Sequence, residues 1–413
     1  MFGKLKNIDA FTKNIIIVFL GVSLGNFFNL LCQLLIAHRL SASDFAAFNS
    51  LLSIFVLISA PLDTLRVAVT RYCAEFSAKN QIAKVRFLLS DLFKKVSILA
   101  LLTFFIFWST SNWIIKALKI SSPASGYILV VLIALAWFNP LFSGGIQGLG
   151  FFGWFASASL IGGILKLSLA FIFILLGYNI AGALGALLAS GLIALLILYL
   201  PLKQFVSLKT VKEDINYNEL LRFLFPVALS SFCFMALVNL DMVLVRYYFT
   251  QEESGLYSLA QMLGKIFLFL PSAISIVMFP KTSGLRAKDM DTTLTFKRSL
   301  LYVFVLCILV TLFYNLFPHF VFKVLTGKVY LQSIFLGRLF SISMSFFTFL
   351  YLFIFYFLSI KDLRFIKYLA IFTFLQFIAI VLFHQNLTQV QLVLCVNAIL
   401  LFLIHLLLAY KKQ

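Results

Sequence analysis

Long runs of apolar residues, broken by short charged or Gly/Pro-rich segments, recur from one end of the chain to the other. A helix needs about 20 such residues to cross a hydrocarbon core about 30 Å thick, and a lipid-facing backbone must be helical to satisfy its own hydrogen bonds. The pattern predicts twelve spans, over 14–38, 45–70, 96–114, 123–144, 154–176, 180–200, 220–248, 254–279, 299–318, 331–358, 365–384 and 389–410. Between the fourth and fifth, Pro140, Gly144, Gly145, Gly148, Gly150 and Gly153 form an uncharged segment expected to bend as the turn of a helical hairpin. From Ser77 to Lys95, basic residues alternate with Ile82, Val85, Leu88, Leu89 and Leu92, as in an amphipathic helix lying in the membrane interface. The first run, from Asn14, is too long for the core of a signal peptide and reads as a retained span.

Composition narrows the class. Hydrophobic residues make up 62% of the 413 and charged residues 11%, whereas soluble domains carry about 25% charged side chains. The expected fold class is therefore an all-α polytopic membrane protein. Cys32, Cys73, Cys233, Cys307 and Cys395 stand singly in or beside apolar runs, with no CxxC and no Cys/His spacing of a metal site. No metal and no cofactor is expected.

The formal net charge of +19 would suggest a nucleic-acid partner in a soluble protein. Its distribution points elsewhere. With the N-terminus inside, the inner segments hold Arg71 to Lys95, Lys203 to Arg222, Lys281 to Arg298, Lys361 to Lys367 and both chain ends, while the outer ones hold only Arg39, Lys116, Lys119, Lys323 and Lys328. Cytoplasmic loops carry the excess of Lys and Arg, so both termini are expected in the cytoplasm and no nucleic-acid partner is expected.

The two halves repeat a pattern. Ser41, Asp44 and Phe48 match Thr250, Glu253 and Tyr257 at an offset of 209, and Pro61 falls one residue from register with Pro271. Each copy has an apolar helix, a basic residue, a hydroxyl-acid turn, an aromatic residue in the next helix and then a proline. Both copies leave the membrane on the same side, which predicts two six-helix lobes related by a parallel pseudo-two-fold axis along the membrane normal, 1–200 and 220–413, joined by a cytoplasmic linker 201–219.

In LSASDFAAFNSLLSIF with the following TRYCAEF (70–76), and in VNLDMVLVRYYFTQEESGLYSLAQ (238–261) closing with FPK (279–281), the chain resembles the multidrug/oligosaccharidyl-lipid/polysaccharide (MOP) exporter superfamily. Within it the resemblance is to the Wzx-type polysaccharide biosynthesis flippases. The resemblance implies a MATE/MOP-like fold of two lobes around a central cavity. It further implies a non-enzymatic flippase of the bacterial inner membrane that moves undecaprenyl-diphosphate-linked oligosaccharide by alternating access. Its partners would be that lipid-linked glycan, membrane lipids and other polysaccharide-assembly proteins. Two rivals stay open: a MATE-like drug or cation antiporter, and a membrane enzyme of glycan polymerisation. The outer segments are short for such an enzyme.

An ionisable side chain inside a span costs a few kcal/mol and so marks a cavity or a partner. Arg66, Lys166, Arg246, Lys265 and Arg338 fall within predicted spans, with Asp63 and Asp241 as the acids. Lys166 lies roughly 18 Å and Lys265 roughly 16 Å into their spans, near the midplane. A diphosphate suits such cations, because Lys and Arg supply charge and several donors. Arg66, Lys166, Lys265 and Arg338 are therefore the candidate substrate-binding residues. Asp63 and Arg66, three apart, form either a neutralised local pair or a group at the inner mouth of the cavity. Asp241 is expected to pair with Lys265 or Arg338, or to carry a coupling proton. Asn26, Asn29, Gln33, Asn239 and Gln261 are candidate contacts to sugar hydroxyls, with helix–helix hydrogen bonding as the alternative. Arg39 and Arg246 lie close enough to outer ends to snorkel.

Overall fold

In the computed structural model, which describes residues 10–206, 213 and 217–410, every expected span is helical. The helices are α1 (Ala10–Arg39), α2 (Ala42–Ser59), α3 (Asp63–Ala78), α4 (Ile82–Ala117), α5 (Pro123–Ala136), α6 (Phe138–Gly148), α7 (Phe152–Leu175) and α8 (Asn179–Leu202). They continue as α9 (Tyr217–Tyr248), α10 (Gln251–Ala287), α11 (Thr293–Leu316), the short α12 (Pro318–Thr326), α13 (Leu331–Ser359), α14 (Phe365–Leu382) and α15 (Leu387–Tyr410). Among the described residues there is no strand. Eleven helical stretches there are long and apolar enough to cross a membrane, with α2–α3 and α5–α6 each counted as one. The remaining expected span, 254–279, lies in α10. The chain is a multi-pass membrane protein.

The repeated hydroxyl-acid signature is a pair of helix starts. Thr250 caps α10 in a full capping box: its Oγ1 accepts from the Glu253 amide at 3.2 Å, and the Glu253 carboxylate accepts from the Thr250 amide at 3.0 Å. Ser41 Oγ accepts from the Asp44 amide at 3.0 Å ahead of α2. Pro61, lacking an N–H, breaks the ladder between α2 and α3, and a 3₁₀ turn over Ala60–Leu62 bridges them.

The chain divides into two units, 1–39 with 58–224, and 40–57 with 225–413. Set beside the expected lobes 1–200 and 220–413, Leu40–Leu57, most of α2, falls in the second unit, and the first unit runs on to Leu224. Of the expected linker 201–219, residues 207–212 and 214–216 lie outside the described residues.

Small residues set the spacing in the first unit. A Cβ on Gly21 or Gly25 of α1 would stand 2.5 Å from the Ala156 and Ser159 side chains of α7. In a bilayer, where apolar surface alone does not drive helices together, such backbone approach is the main source of packing. The expected glycine-rich hairpin turn is for the most part not a turn. α6 runs as helix through Gly148, and Cβ atoms on Gly144 and Gly148 would stand 2.8 Å from Arg66 O and 2.6 Å from Thr70 O of α3. The bend is confined to 149–151, where Gly150 takes φ +77°.

The expected interfacial helix of 77–95 is also corrected. α4 is a single helix from Ile82 into the span, and Val85, Leu88, Leu89 and Leu92 bury against Val69, Cys73, Leu141, Ile146 and Leu202. These four side chains are covered by protein, while Ile82 at the helix start and the basic face stay exposed.

Hydroxyl side chains bonded to backbone join the second unit. Thr348 of α13 donates to Phe267 O at 3.1 Å and Ser333 to Leu256 O at 3.0 Å, both on α10. Within this unit α2 meets α10 where Asn49 Nδ2 donates to Ser258 Oγ at 2.8 Å. These two residues are related by the 209-residue repeat itself.

Replacing Gly25 with Leu overpacks α1 against α7. The expected result is a loss of about 1–3 kcal/mol, read as a lower thermal unfolding midpoint in detergent. Gly191→Ala, whose Cβ meets nothing within 4 Å, is expected to leave the midpoint unchanged or higher.

Candidate functional site

The first unit holds one cation at membrane depth in an unusual setting. Lys166 stands on α7 one turn beyond Gly163, whose Cβ position lies 2.8 Å from Gly25 O of α1. With the helices this close, Lys166 Nζ donates to Asn29 Oδ1 of α1 at 2.7 Å. Among the described residues no carboxylate oxygen lies within 4.0 Å of the ammonium. An ammonium has three donors, so the amide leaves capacity for further acceptors. Asn26, Asn29 and Gln33 share a stripe of α1, at spacings of three and seven residues. Asn26 is exposed, while Asn29, Gln33 and Lys166 are half-buried.

Arg66 and Asp63 form the expected local pair, Nε to Oδ1 at 3.8 Å, with both side chains substantially exposed. At that distance and exposure the pair contributes little to stability. Arg39, also exposed, lies over the Phe171 ring at 5.8 Å.

In the second unit Asp241 of α9 is completely buried, yet its side-chain hydrogen-bond partners are neutral. Tyr257 Oη donates to Oδ2 at 2.8 Å, and Gln261 Nε2 lies 3.0 and 2.9 Å from the two carboxylate oxygens. Tyr257 Oη is also 3.5 Å from Gln391 Oε1, and Gln391 Nε2 donates to Ser343 Oγ at 2.8 Å. Tyr257, Gln261 and Lys265 follow at four-residue steps along α10, so they line one face.

The pairing expected of Asp241 takes a different form here. Lys265 acts on it electrostatically from beyond contact distance, and no ion pair joins Asp241 to Lys265 or Arg338 among the described residues. Lys265 is half-buried and Arg338 is exposed. Two expected sugar contacts have other partners in this arrangement. Gln261 is committed to Asp241, and Asn239 Nδ2 donates to Met235 O at 2.9 Å.

Arg246 does not snorkel. It is 2% exposed, buried inside the unit with Asp44 of α2 acting on it electrostatically. His405, at a span end, is buried with Nδ1 on Leu401 O at 2.8 Å, among Phe353, Phe357 and Phe365.

Gln391 and Ser343 are not among the site residues the sequence predicts, and Tyr257 enters there only as the repeat partner of Phe48. For Tyr257 a signal existed, because it stands four residues before Gln261 and eight before Lys265. Gln391 and Ser343 had none, since they come from two distant helices.

The polysaccharide biosynthesis protein family matches residues 11–286. No curated protein matches the chain. Among solved structures, the inward-facing conformation of a multidrug resistance MATE family transporter of the MOP superfamily is similar, with TM-score 0.76 and 17% identity, over 94% of this chain and 96% of that one. The outward-facing conformation of a MATE family transporter of the same superfamily gives TM-score 0.63 and 16% identity over 97% and 95%. A MOP superfamily transporter from Pyrococcus furiosus, for which reverse polarity of the binding pocket is taken to suggest a different function, gives TM-score 0.62 and 17% identity over 96% and 94%. At these identities the likeness establishes the MATE fold.

Tyr257→Phe removes one of the donors on the buried Asp241 carboxylate. A loss of about 1–3 kcal/mol in unfolding free energy is expected, whereas Tyr247→Phe, at an exposed ring, is expected to leave stability unchanged. Denaturant or thermal unfolding of the purified protein compares the two.

Proposed function

We propose that this chain, which belongs to the polysaccharide biosynthesis protein family and is a transporter of the MOP exporter superfamily, moves a polyprenyl-diphosphate-linked oligosaccharide across the bacterial cytoplasmic membrane by alternating access. The observation that carries this reading is Lys166, a cation at membrane depth whose contact is the neutral Asn29 amide. A Lys at the centre of a span costs about 3 kcal/mol. An anionic ligand offsets that cost, and a diphosphate with its several oxygens fills the remaining donors.

Lys265 and Arg338 add to the same balance of charge, and Arg66 stands near the end of its span that the charge distribution assigns to the cytoplasm. On this reading the four cations contact the diphosphate at successive stages. Asn26, Asn29 and Gln33 meet sugar hydroxyls, and both termini are cytoplasmic. Asp63 and Asp241 are the charge-partner or coupling groups. The polyprenyl tail stays in lipid while the head crosses.

A drug or cation antiporter shares the fold and needs a carboxylate free to face its substrate. The buried intramembrane acid is already engaged, Asp241 with Tyr257 and Gln261, and the exposed Asp63 stands 3.8 Å from the Arg66 guanidinium. That engagement favours the anionic substrate.

The test is transbilayer movement of a lipid-diphosphate-linked oligosaccharide in proteoliposomes. Wild type is expected to move it, and folded, inserted Lys166→Gln/Lys265→Gln protein to do so at least tenfold more slowly, since each charge-assisted hydrogen bond contributes about 1.5–3 kcal/mol. Equal rates would remove these two residues from the site. Movement of organic cations, with none of the glycan, would support the antiporter.

A further inference from the structure

On the second unit, α10 and α11 leave between them an open groove of about 420 Å³. Its walls are apolar along one stretch, with Ile274, Val277 and Met278 from α10 and Tyr302 from α11. Its end toward the 288–292 connection carries two cations, Lys281 of α10 and Arg298 of α11. Val277 and Tyr302 are 71% and 58% exposed, so this is an outward surface of α10 and α11 and not the interior of the unit. Lys281 and Arg298 are exposed too, and neither has a carboxylate within 4.0 Å among the described residues. Asp289 and Asp291, the nearest acids in the chain, line a separate polar hollow with Arg286. Seven residues separate Ile274 from Lys281, so apolar wall and cationic end span about 10 Å along the helix.

The sequence of chemistry along the groove, two cations at the membrane surface and then a hydrocarbon-lined trough, matches a phosphate headgroup continuing into an acyl chain. Basic pockets between spans on the cytoplasmic side take anionic headgroups, and the charge distribution assigns this end of α10 and α11 to the cytoplasm. We propose that the α10–α11 groove is a binding site for an anionic phospholipid of the inner leaflet, with its phosphate between Lys281 and Arg298 and an acyl chain along Ile274, Val277 and Tyr302. The site belongs to the second unit alone and stands independently of the transport reading.

The experiment is native mass spectrometry of the full chain released from membranes of mixed phosphatidylglycerol and phosphatidylcholine, counting retained lipid of each kind. Wild type is expected to retain phosphatidylglycerol in preference. Lys281→Gln or Arg298→Gln alone is expected to lower that preference about fivefold, and the double variant tenfold or more. Lys288→Gln/Lys297→Gln, which removes the same charge from neighbouring positions outside the groove, is expected to keep it. Should the double variant fail to fold, Arg298→Lys and Thr295→Trp replace it. Arg298→Lys retains charge and should retain lipid, while Thr295→Trp fills the groove with both cations intact and should lose it. Equal loss in the groove and control pairs would reduce the effect to general surface charge and overturn the site. So would retention of phosphatidylcholine as often as phosphatidylglycerol, or displacement of phosphatidylglycerol by polyprenyl diphosphate at equal concentration.

Discussion

The close approach of α1 and α7 is the contact on which the candidate site depends. Gly21 and Gly25 leave no side chain between the helices, and Ala156 and Ser159 occupy the space a Cβ would need. A bilayer offers helices little reason to associate through apolar surface, so backbone approach at small residues must supply it. Further along, that spacing brings the Lys166 ammonium onto Asn29 at 2.7 Å. α3 and α6 meet by the same means at Gly144 and Gly148, beside the Arg66 backbone. The second unit is held differently, by hydroxyl side chains bonded to neighbouring backbones and by the buried neutral partners of Asp241.

These two ways of building a lobe distribute charge unequally. In the first unit a cation has been left with an amide; in the second a carboxylate has been surrounded by a phenol and an amide. Neutral donors stabilise Asp241 without consuming a cation, and so leave Lys265 at a distance from it. On the proposed reading, the intramembrane charge available to a substrate is therefore positive. A transporter that handles a diphosphate head requires that sign, and one that expels cations requires the opposite.

Spans, repeat and the Asp63–Arg66 pair were legible in the sequence because each is a local property. Hydropathy over about 20 residues locates a span, and Ser41 and Thr250 announce helix starts through bonds no more than three residues long. What failed depended on which faces meet. Glycine serves both turns and close helix contacts, so the sequence predicts a bend where Gly144 and Gly148 face α3. An amphipathic pattern cannot distinguish protein from headgroup as the cover, so it predicts an interfacial place for Val85 and Leu88, which lie in the core. Arg246 was near enough to an outer end to snorkel, yet packing folds it inward beside Asp44. Asp241 took partners from α10 because Tyr257 and Gln261 present the same face, a fact that becomes readable only once α9 is known to lie against it.

The central claim is that the Lys166 ammonium and the Asn26–Asn29–Gln33 stripe meet the head of a lipid-diphosphate glycan. A photoreactive amino acid at Asn26, the exposed member of that stripe, probes it in native membranes supplied with lipid-linked oligosaccharide. The account predicts a covalent adduct with the glycan that disappears when Lys166 is replaced by Gln in a folded protein. An adduct of equal yield in the Lys166→Gln protein, or no adduct while transport continues, would contradict it.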